Sequence, residues 1–276
     1  NDISYQSLND AKSLLKTIMK FIQKRYAISD IVYLEDIAIP KKAKTIEEVK
    51  AKRENYLEMN EVQLITSQLQ KMAKQKKTPH IRRSLAVTAC IVEFQALNGM
   101  RIGELLALRP ENIDFQNKKL LIDGTIHFID APDGFGVKDT TKTEASYRTI
   151  SLTSRSIEIL KQLLLENKKC TQWDERYKDR GFIFTNLKGN PLAVTSINRN
   201  IVLALDEIKD ENGNKIINKR VTTHTFRHSH ISLLSQLGIS LKAIMERVGH
   251  SDHKTTLQIY SHVTEKMDKD MMEKLE

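Results

Sequence analysis

The sequence has little cysteine, proline and tryptophan, and it lacks a long apolar run. Its two cysteines, Cys90 and Cys170, cannot build a disulfide framework or a four-cysteine zinc site. The most apolar stretch, Leu85 to Leu97, is interrupted by polar residues and is shorter than the roughly 20 residues of a membrane span. These absences exclude a disulfide-stapled secreted domain and a transmembrane bundle, and they favour a reducing, cytoplasmic setting.

The beginning of the chain carries no signal-peptide pattern and no initiator methionine. Asn1 and Asp2 precede a polar segment, without the basic and apolar regions of a secretory leader. We therefore expect this sequence to be a fragment or a processed chain.

Charge is the most informative part of the composition. The 276 residues carry 44 Lys and Arg against 35 Asp and Glu, a net charge of +9. The segment from Lys41 to Arg83 alone holds 12 basic and 5 acidic residues. An excess of cationic side chains suits a polyanion, because neutralised phosphates release their counterions. Charge by itself favours a nucleic-acid partner only slightly over a solubilising surface.

The hydrophobic pattern predicts a mainly α-helical α+β protein in three parts. Apolar residues recur at helical spacing from Leu8 to Tyr26, and an apolar segment then ends at Pro40. A charged, apolar-poor stretch follows and is typical of a linker. We divide the chain into residues 1–40, a basic linker at 41–56 and a compact domain at 57–276.

Within the compact domain we expect helices on both sides of a small antiparallel sheet. Asn60 is predicted to cap a helix running to Lys76, and Ser84 to cap one running to Leu97. Three short strands are expected between residues 119 and 152, with Lys142 at a hairpin turn. The predicted elements that follow are helices: Ser154 to Glu166, Val194 to Ile208, Thr225 to Leu237, Leu241 to Val248, a short piece ending near Tyr260, and Glu265 to Leu275.

Six side chains stand out as candidates for chemistry, although each also has an ordinary interpretation. Arg101 and the pair His224 and Arg227 open helices, where backbone amides already favour anions. The other candidates are a turn lysine, a histidine after a glycine and a tyrosine ten residues further on: Lys142, His250 and Tyr260. Singly, these are most often surface, cap or rim residues.

A zinc site built from three nearby histidines is the alternative for the His224 segment. His224, His228 and His230 have no cysteine or carboxylate partner close by in the sequence. Helical spacing also turns His230 away from the other two, so a metal site is disfavoured.

Taken together, the motifs resemble the tyrosine recombinase, or phage integrase, family. The resemblance covers about Tyr56 to Val263, and the segment from Gln6 to Ile39 resembles the final helices of the family's core-binding domain. The matching segments are Asn98-Gly99-Met100-Arg101-Ile102-Gly103-Glu104, Thr141-Lys142-Thr143, His224-Thr225-Phe226-Arg227-His228, Val248-Gly249-His250-Ser251 and Thr255 to His262.

This resemblance implies a DNA strand transesterase that needs no metal or nucleotide cofactor. Tyr260 would attack a DNA phosphorus to form a 3′-phosphotyrosine, and Arg101 and Arg227 would hold the phosphate oxygens. His250 would add a hydrogen bond to the phosphate, and His224 would relay the tyrosine proton. Lys142 would protonate the leaving 5′-oxygen.

Two further residues are tied to the site by the same resemblance. Lys138 lies on the same predicted hairpin as Lys142, but the Thr-Lys-Thr triplet around Lys142 is the better match. Glu104 matches an acidic position of the family, and we expect it to orient His224 or Arg101.

The implied function is site-specific recombination of double-stranded DNA by an integrase of a phage or mobile element. The enzyme would be a monomer when free and would act in a tetrameric synapse, with accessory DNA-bending or excision proteins as further partners. A cytoplasmic, nucleoid-associated location follows. Two alternatives stay open: a type IB topoisomerase and a non-catalytic DNA-binding regulator on the same scaffold.

Overall fold

The computed structural model describes residues 5–26, 38–39, 45, 54–132, 134–140, 147–249 and 253–275. The chain forms two compact units, Asn1–Ala51 and Lys52–Glu276, and their boundary falls inside the interval 41–56 that we assigned to a linker. Within the described ranges, every helix is too short or too polar to cross a membrane.

The first unit contains one amphipathic helix, α1, at Tyr5–Tyr26. It begins three residues before the predicted start at Leu8 and ends where expected. Its last turn carries Lys24 and Arg25, whose charges complement the carbonyl end of the helix dipole.

The second unit begins with two helices whose caps differ from the predicted ones. Helix α2 spans Met59–Gln75 and is capped by Glu58, whose amide donates to Glu61 Oε2 at 2.8 Å. Asn60 is therefore inside the helix. Helix α3 spans Pro79–Asn98, because proline at the first position already has a helical φ. Ser84, the predicted cap, lies in the second turn of α3.

A short helix and two small antiparallel sheets follow α3, in agreement with the predicted fold class. Strands β1, β2 and β5 form one sheet in the order β1-β2-β5, and β3 pairs with β4 in a separate hairpin. The elements are helix α4 at Ile102–Leu106, a 3₁₀ turn at Pro110–Asn112, and strands β1 at Ile113–Asp114, β2 at Lys119–Ile122, β3 at Gly124–Ala131, β4 at Gly134–Thr140 and β5 at Arg148–Ser151.

The hairpin that the structure describes is formed by β3 and β4. The second hairpin strand is β4, which was not predicted because its Gly and Asp residues hide the strand pattern. The hairpin therefore turns between Ala131 and Gly134, and Lys138 lies on its second strand. Lys142 belongs to the connection from β4 to β5, at residues 141–146, which lies outside the described residues.

The remaining elements are helical, as expected. The largest differences from the prediction are two: the first of these helices extends seven residues beyond Glu166, and the last two predicted helices are one continuous helix that contains Tyr260. The other helix ends agree with the prediction to within two residues. Their bounds are α5 at Ser154–Trp173, α6 at Val194–Glu207, α7 at Thr223–Gln236, α8 at Leu241–Val248 and α9 at His253–Leu275.

Two apolar clusters hold the second unit together. The larger one joins α2, α3, α5, α6 and the three-stranded sheet, with Phe94, Phe184 and Phe226 fully buried. The smaller one joins α7, α8 and α9 through these side chains: Tyr56, Ile231, Ile244, Val248, Ile259 and Val263. Because Phe226 belongs to the large cluster and Ile231 to the small one, α7 is fixed from both sides.

Candidate active site

Arg101 is presented by a sharp turn between α3 and α4. Gly99 ends α3 in the left-handed conformation, with φ of 69°, and Arg101 is the extended residue that precedes α4. The Arg101 side chain is 36% exposed, and its Nη2 donates to the Gly249 carbonyl at 2.9 Å. The guanidinium therefore reaches from the start of α4 to the end of α8 while part of it remains open to solvent.

Glu104 lies buried between two arginines. Its carboxylate accepts from Arg101 Nη1 at 2.9 Å and from Arg148 Nη2 at 2.9 Å, and it also accepts from the Arg101 amide. Burial acts to raise the pKa of Glu104, but the hydrogen bonds and charges of Arg148 and Arg101 outweigh it and lower that pKa. The carboxylate is thus ionised at neutral pH and orients Arg101, one of the two roles predicted for it.

Arg227 is almost completely buried, with 3% exposure, on the second turn of α7. Its Nη1 donates to the Gly99 carbonyl at 2.7 Å, whereas its buried Nη2 has no hydrogen-bond partner among the described residues. Burial and then the Arg101 charge lower the pKa of Arg227 to about 9, so the guanidinium stays protonated at neutral pH. A buried cation with an unused donor is costly unless an anion supplies an acceptor.

His224 precedes Arg227 by one turn of α7 and is exposed. Partial desolvation, followed by the charges of Arg227 and Arg101, lowers the pKa of its imidazole. His224 is consequently neutral at physiological pH and able to accept a proton. The influence of both arginines shows that the structure brings His224, Arg101 and Arg227 into one neighbourhood.

Tyr260 lies in α9 and is half-buried against the smaller apolar cluster. Its neighbours in the helix, Ile259 and Val263, anchor α9 on α7 and α8. Within the described part of the chain, no hydrogen bond joins the Tyr260 hydroxyl to Arg101 or Arg227. The structure therefore places the tyrosine on the helix that packs beside α7, without a hydrogen bond to either arginine among the described residues.

The two other predicted site residues, Lys142 and His250, lie outside the described residues. Their neighbours in the chain are described: β4 ends at Thr140, β5 begins at Arg148, and Gly249 ends α8. Lys138, the alternative to Lys142, forms an ion pair with Asp123 at 2.7 Å and donates to Asn112 Oδ1 at 3.1 Å. These contacts tie Lys138 to the base of the hairpin.

The zinc alternative receives no support from the described histidines. His230 Nδ1 lies 2.9 Å from the Ala96 carbonyl, and its Nε2 accepts from Arg247 Nε at 3.0 Å, so both ring nitrogens are engaged. Burial and the Arg247 charge lower the pKa of His230 to about 3. In the described ranges, no group of three His, Cys, Asp or Glu side chains is placed to hold a metal ion.

Sequence analysis missed the arginines that support this site. Arg148 is 8% exposed and pairs with Glu104, and Arg247 bonds to His230. A signal for Arg148 was present, because in a strand it shares a face with Ile150, which is two residues away and buried. A charged residue on the buried face of a strand usually has a dedicated partner. Arg247 carried no comparable signal.

The part of the chain that holds these side chains matches a known protein family. The phage integrase family model matches residues 55–267, which is most of the chain and includes every candidate side chain. The chain belongs to the phage integrase family and carries the catalytic domain of a tyrosine recombinase. The predicted family, fold class and type of enzyme, an integrase of a phage or mobile element, are confirmed.

Relatives from bacteriophages and prophages are similar over almost the whole chain. The integrase of Staphylococcus phage L54a is 47% identical over 265 residues, covering 95% of this chain and 72% of the relative. The "Prophage ps2 probable integrase" of Lactococcus lactis is 37% identical over 274 residues, covering 96% of this chain and 65% of the relative. The chain thus spans about two thirds of the length of these relatives.

Solved structures confirm the fold. The Tn1549 transposon integrase, solved in complex with transposon right end DNA, superimposes with a TM-score of 0.66 at 19% identity. That match covers 99% of this chain and 80% of the other one. The XerA recombinase superimposes with a TM-score of 0.54 at 16% identity, covering 95% of this chain and 75% of the other.

Proposed function

We propose that this chain cuts and rejoins double-stranded DNA through a 3′-phosphotyrosine formed on Tyr260. The observation that carries the proposal is the pair of guanidinium groups beside the start of α7. Arg227 keeps a buried donor without a partner among the described residues, and Arg101 is held next to it by Glu104. A DNA phosphodiester supplies the anionic acceptors that this arrangement lacks.

The two arginines stabilise the transition state of phosphoryl transfer. Negative charge spreads over the non-bridging oxygens when the Tyr260 oxygen bonds to phosphorus and the bond to the 5′-oxygen breaks. Planar forks that are already fixed by Glu104 and by the Gly99 carbonyl need little reorganisation when that charge develops. His250 adds a hydrogen bond to the same oxygens.

Two proton transfers complete the step. His224, whose pKa is lowered by partial desolvation and by the charges of Arg227 and Arg101, accepts the phenol proton as Tyr260 attacks. Lys142 donates a proton to the departing 5′-oxygen. A 5′-hydroxyl of the partner strand then attacks the phosphotyrosine, and the proton transfers run in reverse. The covalent intermediate conserves the phosphodiester bond energy, so the proposed reaction uses no cofactor.

We assign the other parts of the chain to DNA binding as well. In our proposal, residues 1–40 are the end of a core-binding domain, 41–56 cross the phosphate backbone, and 57–276 form the catalytic domain. Four protomers assemble on two DNA sites, with DNA-bending or excision proteins as additional partners. The DNA substrate places the protein in the cytoplasm at the nucleoid.

A suicide substrate tests this function. A nicked DNA site should trap a covalent adduct with the parent chain, whereas Tyr260→Phe should bind the same DNA and form none. The phenylalanine retains the packing against α7 and removes only the attacking oxygen. An adduct formed by Tyr260→Phe would assign the attack to another residue.

The same experiment separates the two alternatives. A regulator on this scaffold would give no adduct with the parent chain. A topoisomerase would relax supercoiled plasmid without sequence preference, while a recombinase requires its own site.

A further inference from the structure

The four residues 54–57, which lead into helix α2, are bonded to helix α7, and we call them the strap. The Leu57 amide donates to Ser229 Oγ at 2.8 Å. The Asn55 carbonyl lies 3.3 Å from His228 Nδ1. Both contacts use backbone groups of the strap, so the backbone on either side of the residue between them is anchored on α7.

The side chain held between these two anchors, Tyr56, packs on helix α9. It is buried in the smaller apolar cluster together with Ile259 and Val263 of α9. Its ring centre lies 6.3 Å from that of His262, with the two planes tilted by 58°. Glu54 Oε1 also lies 3.9 Å from His262 Nε2. The strap therefore bridges α7 and α9.

The anchored part of α9 is the part that carries Tyr260. Tyr260 follows Ile259 directly and lies within one helical turn of Val263. It also packs against the apolar cluster that contains Tyr56. We propose that Tyr56 is a positioning residue for Tyr260, acting through the strap that fixes α9 on α7. This inference rests on the proposed function, in which the Tyr260 hydroxyl attacks a DNA phosphorus.

Ser229→Ala loosens the strap with a small change of side chain, because it removes the acceptor of the Leu57 amide. Ser235→Ala is its matched control on the same helix. Both serines are buried, and Ser235 donates to the Ile231 carbonyl just as Ser229 donates to the Thr225 carbonyl. Each variant loses this bond within the helix, and Ser229→Ala also loses the bond that holds the strap.

Tyr56→Ala removes the ring that packs on α9, and Tyr177→Ala is its matched control. Both tyrosines are 5% exposed, and Tyr177 lies in the connection between α5 and α6, where its hydroxyl is 3.1 Å from Thr185 Oγ1. Each truncation leaves a cavity and lowers the stability of the chain. Only the loss of Tyr56 should also slow DNA cleavage by the folded chain.

Hydrogen exchange of the free chain measures the effect of the strap on α9 without requiring activity. In Tyr56→Ala and Ser229→Ala, protection of the amides at 256–263 should fall by about 10-fold or more, while the amides of α3 keep theirs. Single-turnover cleavage of the suicide substrate should slow by about 10- to 100-fold at unchanged DNA affinity, the effect of a misplacement of about 1 Å. Both control variants should match the parent in exchange of α9 and in cleavage.

A substrate whose bridging 5′-oxygen is replaced by sulfur locates the defect within the reaction. A thiolate departs without a proton, so sulfur rescues a lost general acid and does not rescue a misplaced nucleophile. Tyr56→Ala and Ser229→Ala should therefore remain slow with the sulfur substrate. Rescue of these variants by sulfur would place the defect at the leaving atom and overturn the inference.

The outcomes separate the inference from the proposed function. If the parent chain forms no adduct, the proposed function fails and this inference fails with it. If the parent forms the adduct and both strap variants cleave at the parent rate, the function stands and the positioning role is wrong. Unchanged exchange of α9 in the strap variants, or equal slowing of cleavage by the control variants, would also overturn it.

Discussion

At the scale of single residues, the ionisation of Glu104 supports both Arg101 and Arg148. Its pKa is lowered below the ordinary value of 4.5, so the ionised form favours the folded chain above that pH. This contribution is lost as the pH falls below 4.5 and through the lowered pKa. Glu104→Gln should destabilise the chain by about 3 kcal/mol at pH 7, as for a broken buried pair, and by less in acid.

Urea unfolding of parent and variant between pH 3 and pH 7 measures this difference. The control is Glu158→Gln, since Glu158 is 64% exposed and its pair with Arg155 lies on the surface. An exposed pair contributes about 0–1 kcal/mol, so its loss should have little effect at any pH. If Glu104→Gln lowers the free energy of unfolding by the same amount at every pH in this range, the stabilisation does not come from the ionised Glu104 carboxylate.

The two lysines near the hairpin should respond differently to substitution. Lys142→Ala should lose about 10²- to 10⁴-fold in cleavage rate, the usual contribution of a general acid, and sulfur at the 5′-bridging position should restore it. Lys138→Ala should show no sulfur rescue, because its ammonium is already bound to Asp123 and Asn112. Single-turnover cleavage of both substrates provides the measurement, and rescue of Lys138→Ala alone would reverse the assignment.

At the scale of elements, the end of α3 sets the position of both site arginines. Gly99 adopts φ of 69°, which directs its carbonyl to Arg227 and leads the chain into Arg101. A Cβ on Gly99 would also overlap the His230 ring. Gly99→Ala should therefore destabilise the chain by about 1–2 kcal/mol from left-handed backbone strain, and by a further amount from the overlap with the His230 ring.

Gly238→Ala is the matched comparison for Gly99→Ala. Gly238 has φ of 73°, and a Cβ there would meet open space, so only the backbone strain remains. In thermal unfolding, the midpoint temperature should fall by roughly 2–4 °C for each kcal/mol of stability lost in a unit of this size. The fall should be larger for Gly99→Ala than for Gly238→Ala. Equal decreases in midpoint temperature would contradict the steric prediction, because they would mean that the His230 ring moves aside without loss of stability.

The continuity of α9 leads to a prediction about assembly. Val263 is buried in the smaller cluster, whereas Met267, Met271 and Met272 beyond it are exposed. We predict that this exposed methionine face docks on a neighbouring protomer in the synapse. Truncation after Val263 should leave monomer binding to DNA unchanged and weaken cooperative assembly in gel-shift titrations. Unchanged synapsis by the truncated chain would refute the docking.

At the scale of the whole molecule, the charge excess should appear in the salt dependence of DNA binding. Four lysines lie between residues 41 and 50, and each phosphate contact they make adds about 0.9 to the slope of log K against log[salt]. The unit 52–276 contains both apolar clusters and should fold alone, with a shallower slope than the whole chain.

A variant of the 276-residue chain with glutamine at all four linker lysines is the control for this experiment. If these lysines contact phosphates, this variant should show most of the decrease in salt-dependence slope that removal of residues 1–51 produces. A slope equal to that of the parent would assign the electrostatic contacts elsewhere. Arg83, at the end of the basic stretch, is not such a contact, because it is buried and donates to Asn167, Thr185 and Glu166.

Much of the fold was predictable because the helices have strong local signals. Helix α8 begins at Leu241 and ends at Val248, as predicted, because Ser240 caps it and Gly249 terminates it in the left-handed conformation. Two predicted helix starts were wrong. Ser84 and Asn60 have side chains that can cap a helix, but the structure places both residues inside their helices. Strand β4 was not predicted, because its glycines have poor strand propensity. It forms because its backbone pairs with β3.

The family, the order of the motifs and the chemical types of the candidate residues could be predicted before folding was considered, because they depend on residue identity and spacing along the chain. The contacts of these residues are visible only in the folded chain. Lys138 is paired with Asp123, Arg227 is buried with an unused donor among the described residues, and Arg148, Arg247 and His230 form a network. Burial and hydrogen-bond partners depend on which distant segments pack together, and residues such as Arg247 and Ser151, 96 positions apart, meet only after folding.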